Sequence, residues 1–339
     1  MSEVKGSSLE TADLLVEIGT EELPPKALRS LRKAFSEGIC AELTRLNIPF
    51  GESIGELAAP RRLAVIITEV AIRQPDQKVE VLGPAVKAAF DNEGNPTGAA
   101  SGFSRKVGVD IADLQQVDSP KGPRLAYIST RSGQETETLI AEVITNALNA
   151  LPIPKRMRWG SSRAEFVRPV HWIVAMLGDK TLDANVMGIN AGNRTRGHRF
   201  HANKAIQITE PKEYVSILKE EGWVQVDYQE RMEAIREAVT DLANTELSGT
   251  AVIDESLLEE VCSLVEWPVP LAGKFEERFL TVPSEALISS MKEHQKYFHV
   301  VDAQGALMPN FITVSNIESS DPARVIDGNE RFCFLTRTR

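Results

Sequence analysis

Apolar residues recur at helical spacing through Leu139, Ile140, Val143, Ile144, Ala147 and Leu148 to Leu151, and then Pro152 and Pro154 stop the pattern. Proline has no amide hydrogen to donate and its ring collides with the preceding turn, so an amphipathic helix that meets such a pair must end there. No other stretch of the chain restricts the fold so sharply. Pro152-Ile153-Pro154 is therefore the expected boundary between an N-terminal α+β unit over 13–151 and a second α+β unit over 152–330. Residues 1–12 are expected to form a disordered tail.

A charge inversion follows the break. From Lys155 to Lys204 ten cations stand against Glu165, Asp179 and Asp183, a net +7 in a chain of 339 residues whose total is −10. Arginine binds phosphate through planar, paired donors, and Trp159, Trp172 and Phe200 offer faces on which unpaired bases stack. The candidate RNA-binding residues are Lys155, Arg156 and Arg158 at one end of the stretch and Arg194, Arg196, His198, Arg199 and His201 at the other. Gly197, beside Arg196, is expected to let the backbone approach a phosphate. Arg61 and Arg62 after Pro60, and Lys292 and Lys296 in the polar run Lys292–His299, are outlying candidates. The competing reading is structural: Arg168 and Arg199 in buried ion pairs, Trp159 and Trp172 both in the core, the latter because it sits in an apolar run, and the Lys292–His299 charges coating a helix end.

The remaining pattern is that of a mixed helix and strand protein. Asp13 to Gly19 reads as a strand, and Thr20-Glu21-Glu22-Leu23-Pro24-Pro25 as a helix start with acids in its first turn and Leu28, Leu31, Phe35 and Ile39 on its core face. Strands are expected at Leu63–Val70 and Leu125–Thr130, a turn at Gly83-Pro84, a polar loop at Asn92–Gly98 and a helix at Ala99–Lys106. Beyond the break, Val170–Leu177 reads as a buried strand with Leu182–Ile189 as its neighbour, and Ile206 and Ile208 mark another. A short helix runs from Thr209 and Pro211 to Gly222. Asp227 with Glu230 resembles a capping box for a helix with Met232, Ile235, Val239 and Leu242 inside. Asp254 caps a helix through Val265, Pro283 begins one carrying Leu287 and Met291, and Tyr297–Val301 and Phe311–Val314 close as strands.

Several function classes are excluded by what is missing. No apolar run approaches the roughly 18 residues of a membrane span, and the polar first ten residues lack a signal-peptide core. Cys40, Cys262 and Cys333 are isolated thiols without C-x-x-C pairing, which fits a reducing, cytoplasmic setting. There is no phosphate loop, dinucleotide turn or nucleophile elbow. His198 and His201 have no cysteine near them and are surrounded by cations that repel a metal ion. The acidic total opposes non-specific nucleic-acid binding by the whole molecule while permitting a local basic face.

Particular segments resemble the β subunit of the bacterial two-subunit glycyl-tRNA synthetases. They are Leu15-Val16-Glu17-Ile18-Gly19-Thr20-Glu21-Glu22-Leu23-Pro24-Pro25, Ala59-Pro60-Arg61-Arg62-Leu63, Phe166-Val167-Arg168-Pro169-Val170-His171 and Gly197-His198-Arg199-Phe200. Leu257 to Val261, Val265-Glu266-Trp267-Pro268, Lys296-Tyr297-Phe298 and Asn316-Ile317-Glu318 continue the series. The resemblance implies an α2β2 heterotetramer whose α subunit uses ATP and Mg2+ to activate glycine, and a β subunit that binds tRNA(Gly), holds no cofactor of its own and has no catalytic residue. It also implies a second unit similar to the B3/4 module of phenylalanyl-tRNA synthetase β subunits. The alternative is an assembly module without direct tRNA contact in this half. Family members run to about twice this length, and after Gly328-Asn329-Glu330-Arg331 the pattern departs from theirs, so 331–339 reads as an aberrant or truncated tail.

Overall fold

The computed structural model describes residues 9–91, 93–161 and 163–332. The expected tail therefore lies mostly outside the described residues, as do Asn92 of the polar loop, Cys333 and most of the divergent end. Thr11 and Ala12, expected within the tail, already belong to the first strand. Two compact units are present. One comprises Arg73–Thr136, and the other Glu10–Ile72 together with the chain from Glu137 onward.

The larger unit begins with β1 (Thr11–Thr20), α1 (Pro25–Arg45), β2 (Ser53–Ala59) and β3 (Arg62–Ala71). The inserted unit holds β4 (Gln77–Ala85), α2 (Val86–Ala89), α3 (Gly98–Val107), β5 (Gln115–Val117) and β6 (Arg124–Arg131). The chain then continues through α4 (Thr136–Ala150), β7 (Met157–Arg158), β8 (Glu165–Phe166), β9 (Val170–Leu177) and β10 (Lys180–Thr181). The short pairs β11 (Asn185–Val186) with β12 (Ile189–Asn190), and β13 (Arg194–Arg196) with β14 (Ala205–Gln207), come next. They are followed by α5 (Tyr214–Glu220), α6 (Tyr228–Glu246), β15 (Thr250–Ala251), α7 (Glu255–Cys262) and β16 (Val269–Lys274). Last are α8 (Ser284–Ser290), β17 (Phe298–Val301), β18 (Leu307–Ser315) and α9 (Pro322–Phe332).

The organising sheet is antiparallel, in the order β10-β9-β1-β3-β2. It corrects the expected boundary. β9 lies beyond Pro154 yet pairs with β1 from Leu14↔Leu177 to Thr20↔Val170, so residues on both sides of the proline break build one sheet. The prolines end α4, as expected, but the compact units part at Arg73 and Thr136.

β1 is central and buried on both faces, which its run Leu-Leu-Val-Glu-Ile requires. Leu14, Val16 and Ile18 face one core with Leu28, Leu31, Phe35 and Ile39 of α1, with Ile140, Val143, Ile144 and Leu148 of α4, and with Ile235 and Val239 of α6. Leu15 faces the other way, onto Ala64, Ile66, Trp172, Val174, Met176, Tyr214 and Leu218. Glu17 shares that second face by the two-residue period. Trp172 is in the core, as its apolar neighbours predict, with 7 % of its surface exposed.

α1 starts later than expected. Its cap is Pro24, and no acid lies in its first turn. A residue before proline is driven out of the helical region, so Leu23 and Pro24 stay extended. The amides of Glu21 and Leu23 bond instead to Pro169 O (3.1 Å) and Pro60 O (2.7 Å). This leaves Glu21 and Glu22 outside the helix, at the end of β1. Gly83-Pro84 is likewise no turn; it lies in β4, at a register break between Leu82 and Ala85 on an edge strand that tolerates proline. Leu182–Ile189 pairs with β9 less than expected, since only Lys180 and Thr181 form a strand there before the β11–β12 pair.

The helix caps agree with the sequence. Asp227 accepts from the amides of Gln229 and Glu230, and Asp254 from Leu257 N. A second antiparallel sheet, β15-β17-β18-β16, places Phe298, Val300 and Ile312 in the main core. In the inserted unit, β4-β6-β5 packs Leu125 against Phe103 and Ala100 of α3, as the expected helix and strand there require.

Candidate functional site

Three adjacent strands of the large sheet end together, and their register decides what meets there. Gly19 of β1 stands opposite Arg62 of β3 on one side and Trp172 of β9 on the other. A Cβ at Gly19 would sit 1.9 Å from the Trp172 ring, so glycine is required for the indole to lie across the strand. Two residues back on the same face is Glu17.

Arg62 is fully buried, and its guanidinium is shared among four acceptors. Nη1 donates to Glu17 Oε1 (3.1 Å) and Thr195 Oγ1 (3.1 Å), and Nη2 to Arg196 O (2.8 Å) and Glu266 Oε1 (3.4 Å). Thr195 in turn donates to Glu17 (2.8 Å). Burial pushes the Glu17 carboxyl above its ordinary range, and the Arg62 charge pulls it back. Burial also opposes the charge on Arg62, but Glu17 and Glu266 outweigh it and hold the guanidinium protonated more firmly than in water. The Trp172 indole N–H and the Tyr214 hydroxyl lie near Glu17 without reaching hydrogen-bond geometry.

Around this buried centre is a half-exposed rim. Arg61 lies over the Trp172 ring at 5.9 Å and Arg196 at 5.8 Å. Arg199 pairs with Glu21 (2.5 Å) and Glu22 (3.0 Å), and His171 Nε2 lies 2.9 Å from Glu21. Slight burial works to raise the Glu21 carboxyl, but Arg199, Arg61 and His171 hold it below the usual range.

β13 and β14 form a hairpin, with Arg194↔Gln207 and Arg196↔Ala205 as its pairs. Alternation buries Thr195 and Ile206 and turns Arg194 and Arg196 outward. Neither arginine has a carboxylate within ion-pair distance among the described residues. The connecting tip is held by buried His198. Its Nδ1 accepts from the amides of Phe200 (3.2 Å) and His201 (3.3 Å), and its own amide donates to Gly222 O (2.7 Å). Burial lowers the His198 pKa, with Glu266 opposing, so the ring is held neutral. A Cβ on Gly197 would meet Ala202 O at 2.4 Å. That glycine therefore serves the tight hairpin, which corrects the expectation that it opens the backbone to a phosphate.

The sequence candidates divide unequally. Arg62 and His198 are corrected to interior groups: each is fully buried and unable to touch RNA in this arrangement. Arg199 is engaged by Glu21 and Glu22. Arg156 donates to Leu148 O and Asn149 O at the end of α4, and Arg158 pairs with Glu165 across β7–β8. His201 Nε2 accepts from Glu318 N (3.0 Å). Lys292 binds Asp254 (2.8 Å) and Lys296 binds Glu260 (2.9 Å), which ties both outlying lysines to the fold. Lys155, Arg194 and Arg196 are exposed with no ion-pair partner among the described residues, and Arg61 is half-buried over the indole. Glu17, Thr195, Tyr214, Glu266 and Asn316 were missed. The available signal was Glu17, an acid inside an apolar run. A cleft of about 300 Å³ between Lys26, Arg29, Glu259, Glu260 and Lys292 shares no lining residue with the cluster. Among the described residues no group of three His, Cys, Asp or Glu side chains is placed to hold a metal ion, and no helix is long and apolar enough to cross a membrane.

A family model for the glycyl-tRNA synthetase beta subunit matches residues 14–333. The chain belongs to that family. It is 54 % identical over 321 residues to the glycine–tRNA ligase beta subunit of Marinobacter nauticus, covering 95 % of this chain and 46 % of the relative. The corresponding protein of Hahella chejuensis is 54 % identical over 319 residues, and that of Pseudomonas fluorescens strain Pf0-1 is 49 % identical over 319, each covering 94 % of this chain and 46 % of the relative. The chain thus spans about half the length of the curated relatives it matches. The segments by which the sequence resembles this β-subunit family are scattered through it, yet several meet at one place: Glu17 to Glu22, Arg61-Arg62, Arg168 to His171, His198 to Phe200, Glu266-Trp267 and Asn316. Asn316 Oδ1 accepts from the amides of Glu266 (2.6 Å) and Trp267 (3.2 Å) and so fixes the last of these.

Proposed function

We propose that this chain is the part of a glycine–tRNA ligase β subunit that supports tRNA(Gly) binding and assembly with an α subunit in an α2β2 enzyme of the cytoplasm. In this reading the α subunit carries the chemistry with ATP and Mg2+, and this chain supplies no catalytic residue and no cofactor site. The same reading takes the residues after Pro154 to be related to the B3/4 module of phenylalanyl-tRNA synthetase β subunits. Family membership supports the enzyme class. The observation that supports direct RNA contact is the outer face of the β13–β14 hairpin, where Arg194 and Arg196 are exposed and unpaired among the described residues. Arginines free of carboxylates keep their full charge and donor set for phosphate.

A second reading has its own support. Arg156, Arg158, Arg168 and Arg199 all bond within the fold, so much of the +7 stretch is spent on structure. A chain that only assembles with the α subunit needs no more than this. Filter binding of tRNA(Gly) at several salt concentrations separates the two. The RNA reading predicts a steep loss of affinity with salt and weaker binding by Arg194→Glu/Arg196→Glu. Equal binding by variant and wild type, with the α subunit still co-purifying, leaves the assembly reading.

A further inference from the structure

We propose that Phe200 is a stacking platform for an unpaired nucleobase of the RNA, an inference that rests on the RNA-contact reading above. Phe200 is 72 % exposed, and no other large apolar side chain among the described residues exceeds half, the next being Leu82 at 49 %. A single exposed apolar residue is ordinary; what distinguishes this one is how firmly it is displayed. It sits at the tip of the β13–β14 hairpin, where Gly197 N bonds to Lys204 O (3.1 Å) and Ala202 N to His198 O (3.0 Å). Its own amide is tied to the buried His198 ring. The next residue, His201, accepts from Glu318 N and packs at a tilt against Trp223 (4.8 Å), which packs against Trp267 (5.0 Å). The Phe200 ring lies 6.0 Å from the His198 ring, tilted at 50° to it, the one ring pair that includes Phe200 among the described residues. The backbone and both neighbours are thus held, and the Phe200 side chain is left largely exposed.

Such display removes the ordering cost that a mobile aromatic would bear on binding. The cations around it select the partner. Arg194 and Arg196 point outward on the same hairpin, so a chain that lays its phosphates along them brings its bases toward the tip. Unpaired bases stack on such a ring, whereas bases inside a duplex are already stacked on each other. The geometry therefore points to a single-stranded segment of RNA.

The test compares wild type, Phe200→Ala and Phe200→Trp for binding to a tRNA(Gly) transcript, to a short single-stranded RNA carrying 2-aminopurine, and to a blunt RNA duplex. Phe200→Ala should weaken single-strand and tRNA binding roughly 5- to 100-fold, with the salt slope unchanged. Phe200→Trp should bind as wild type does, and quenching of 2-aminopurine should survive in Phe200→Trp and vanish in Phe200→Ala. Equal affinity of Phe200→Ala and wild type overturns the proposal, and so does an equal loss on duplex RNA. Loss of α-subunit co-purification with RNA binding intact overturns it in favour of a protein contact. If wild type binds no RNA, the RNA reading falls first and takes this inference with it.

Discussion

Arg62 and Arg196 lie in the same cluster, both within 6 Å of the Trp172 ring, and do opposite work. Arg62 is sealed between Glu17 and Glu266, with its ends bonded to Thr195 and the Arg196 carbonyl. Arg196 and its strand neighbour Arg194 face solvent without a carboxylate partner among the described residues. A buried guanidinium must be paired, because an isolated charge in the interior costs several kcal/mol. An exposed one is hydrated and loses little by waiting for a ligand. Charge content alone does not divide the arginines into these two classes: alternation along β13 turns Arg194 and Arg196 outward, whereas β3 is buried on both faces where Arg62 stands.

The comparison predicts a graded series of effects. Arg62→Ala leaves Glu17 and Glu266 buried without their cation and should cost about 3–5 kcal/mol in denaturant unfolding. A variant as stable as wild type would remove the distinction between the two arginines. Gly19→Ala drives a methyl into the Trp172 ring and should cost about 1–3 kcal/mol, with a change in tryptophan fluorescence as the indole is displaced.

The third prediction concerns pH. Burial depresses the folded-state pKa of His198, so the unfolded chain binds its proton first. Stability from the neutral ring is complete above the unfolded value, about 6.5, and is lost as pH falls toward the folded one. His198→Gln should flatten this acid limb. His299, also lowered by burial, contributes its share in both proteins. An unchanged limb in His198→Gln would show that protonation of His198 is not linked to folding. Next comes Arg199→Ala, which breaks a partly exposed pair with Glu21 and Glu22 and should cost no more than about 1 kcal/mol. A larger loss would move Arg199 to the buried class.

How much of this was legible follows the range of the forces involved. α1, α4, α6 and the strands β1, β3, β9 and β17 were readable because periodicity and caps act within a few residues, and so was the interior position of Trp172. The start of α1 was misread since Thr20-Glu21-Glu22 has the composition of a helix cap. The amides of Glu21 and Leu23 are claimed by Pro169 and Pro60, partners that adjacent residues do not reveal. The break at Pro152 was real as a helix end. It failed as a domain boundary because β9 returns to β1, a pairing no local signal specifies. At the site, Arg194 and Arg196, named from the sequence as RNA-binding candidates, are exposed in the fold. Arg62 and His198 were not recognised as buried, since their neighbours Glu17, Glu266 and Gly222 come from distant positions in the chain. The family resemblance pointed to the converging segments without saying which of their side chains face outward.

The most direct test of the division between buried and exposed arginines is the salt dependence of tRNA(Gly) binding by Arg194→Gln/Arg196→Gln, measured beside its thermal unfolding. Two lost phosphate contacts should reduce the slope of log K against log salt by about 1.4–1.8. Unfolding should stay within about 0.5 kcal/mol of wild type, as for other surface positions. An unchanged slope, or a destabilisation approaching that of Arg62→Ala, would contradict the account.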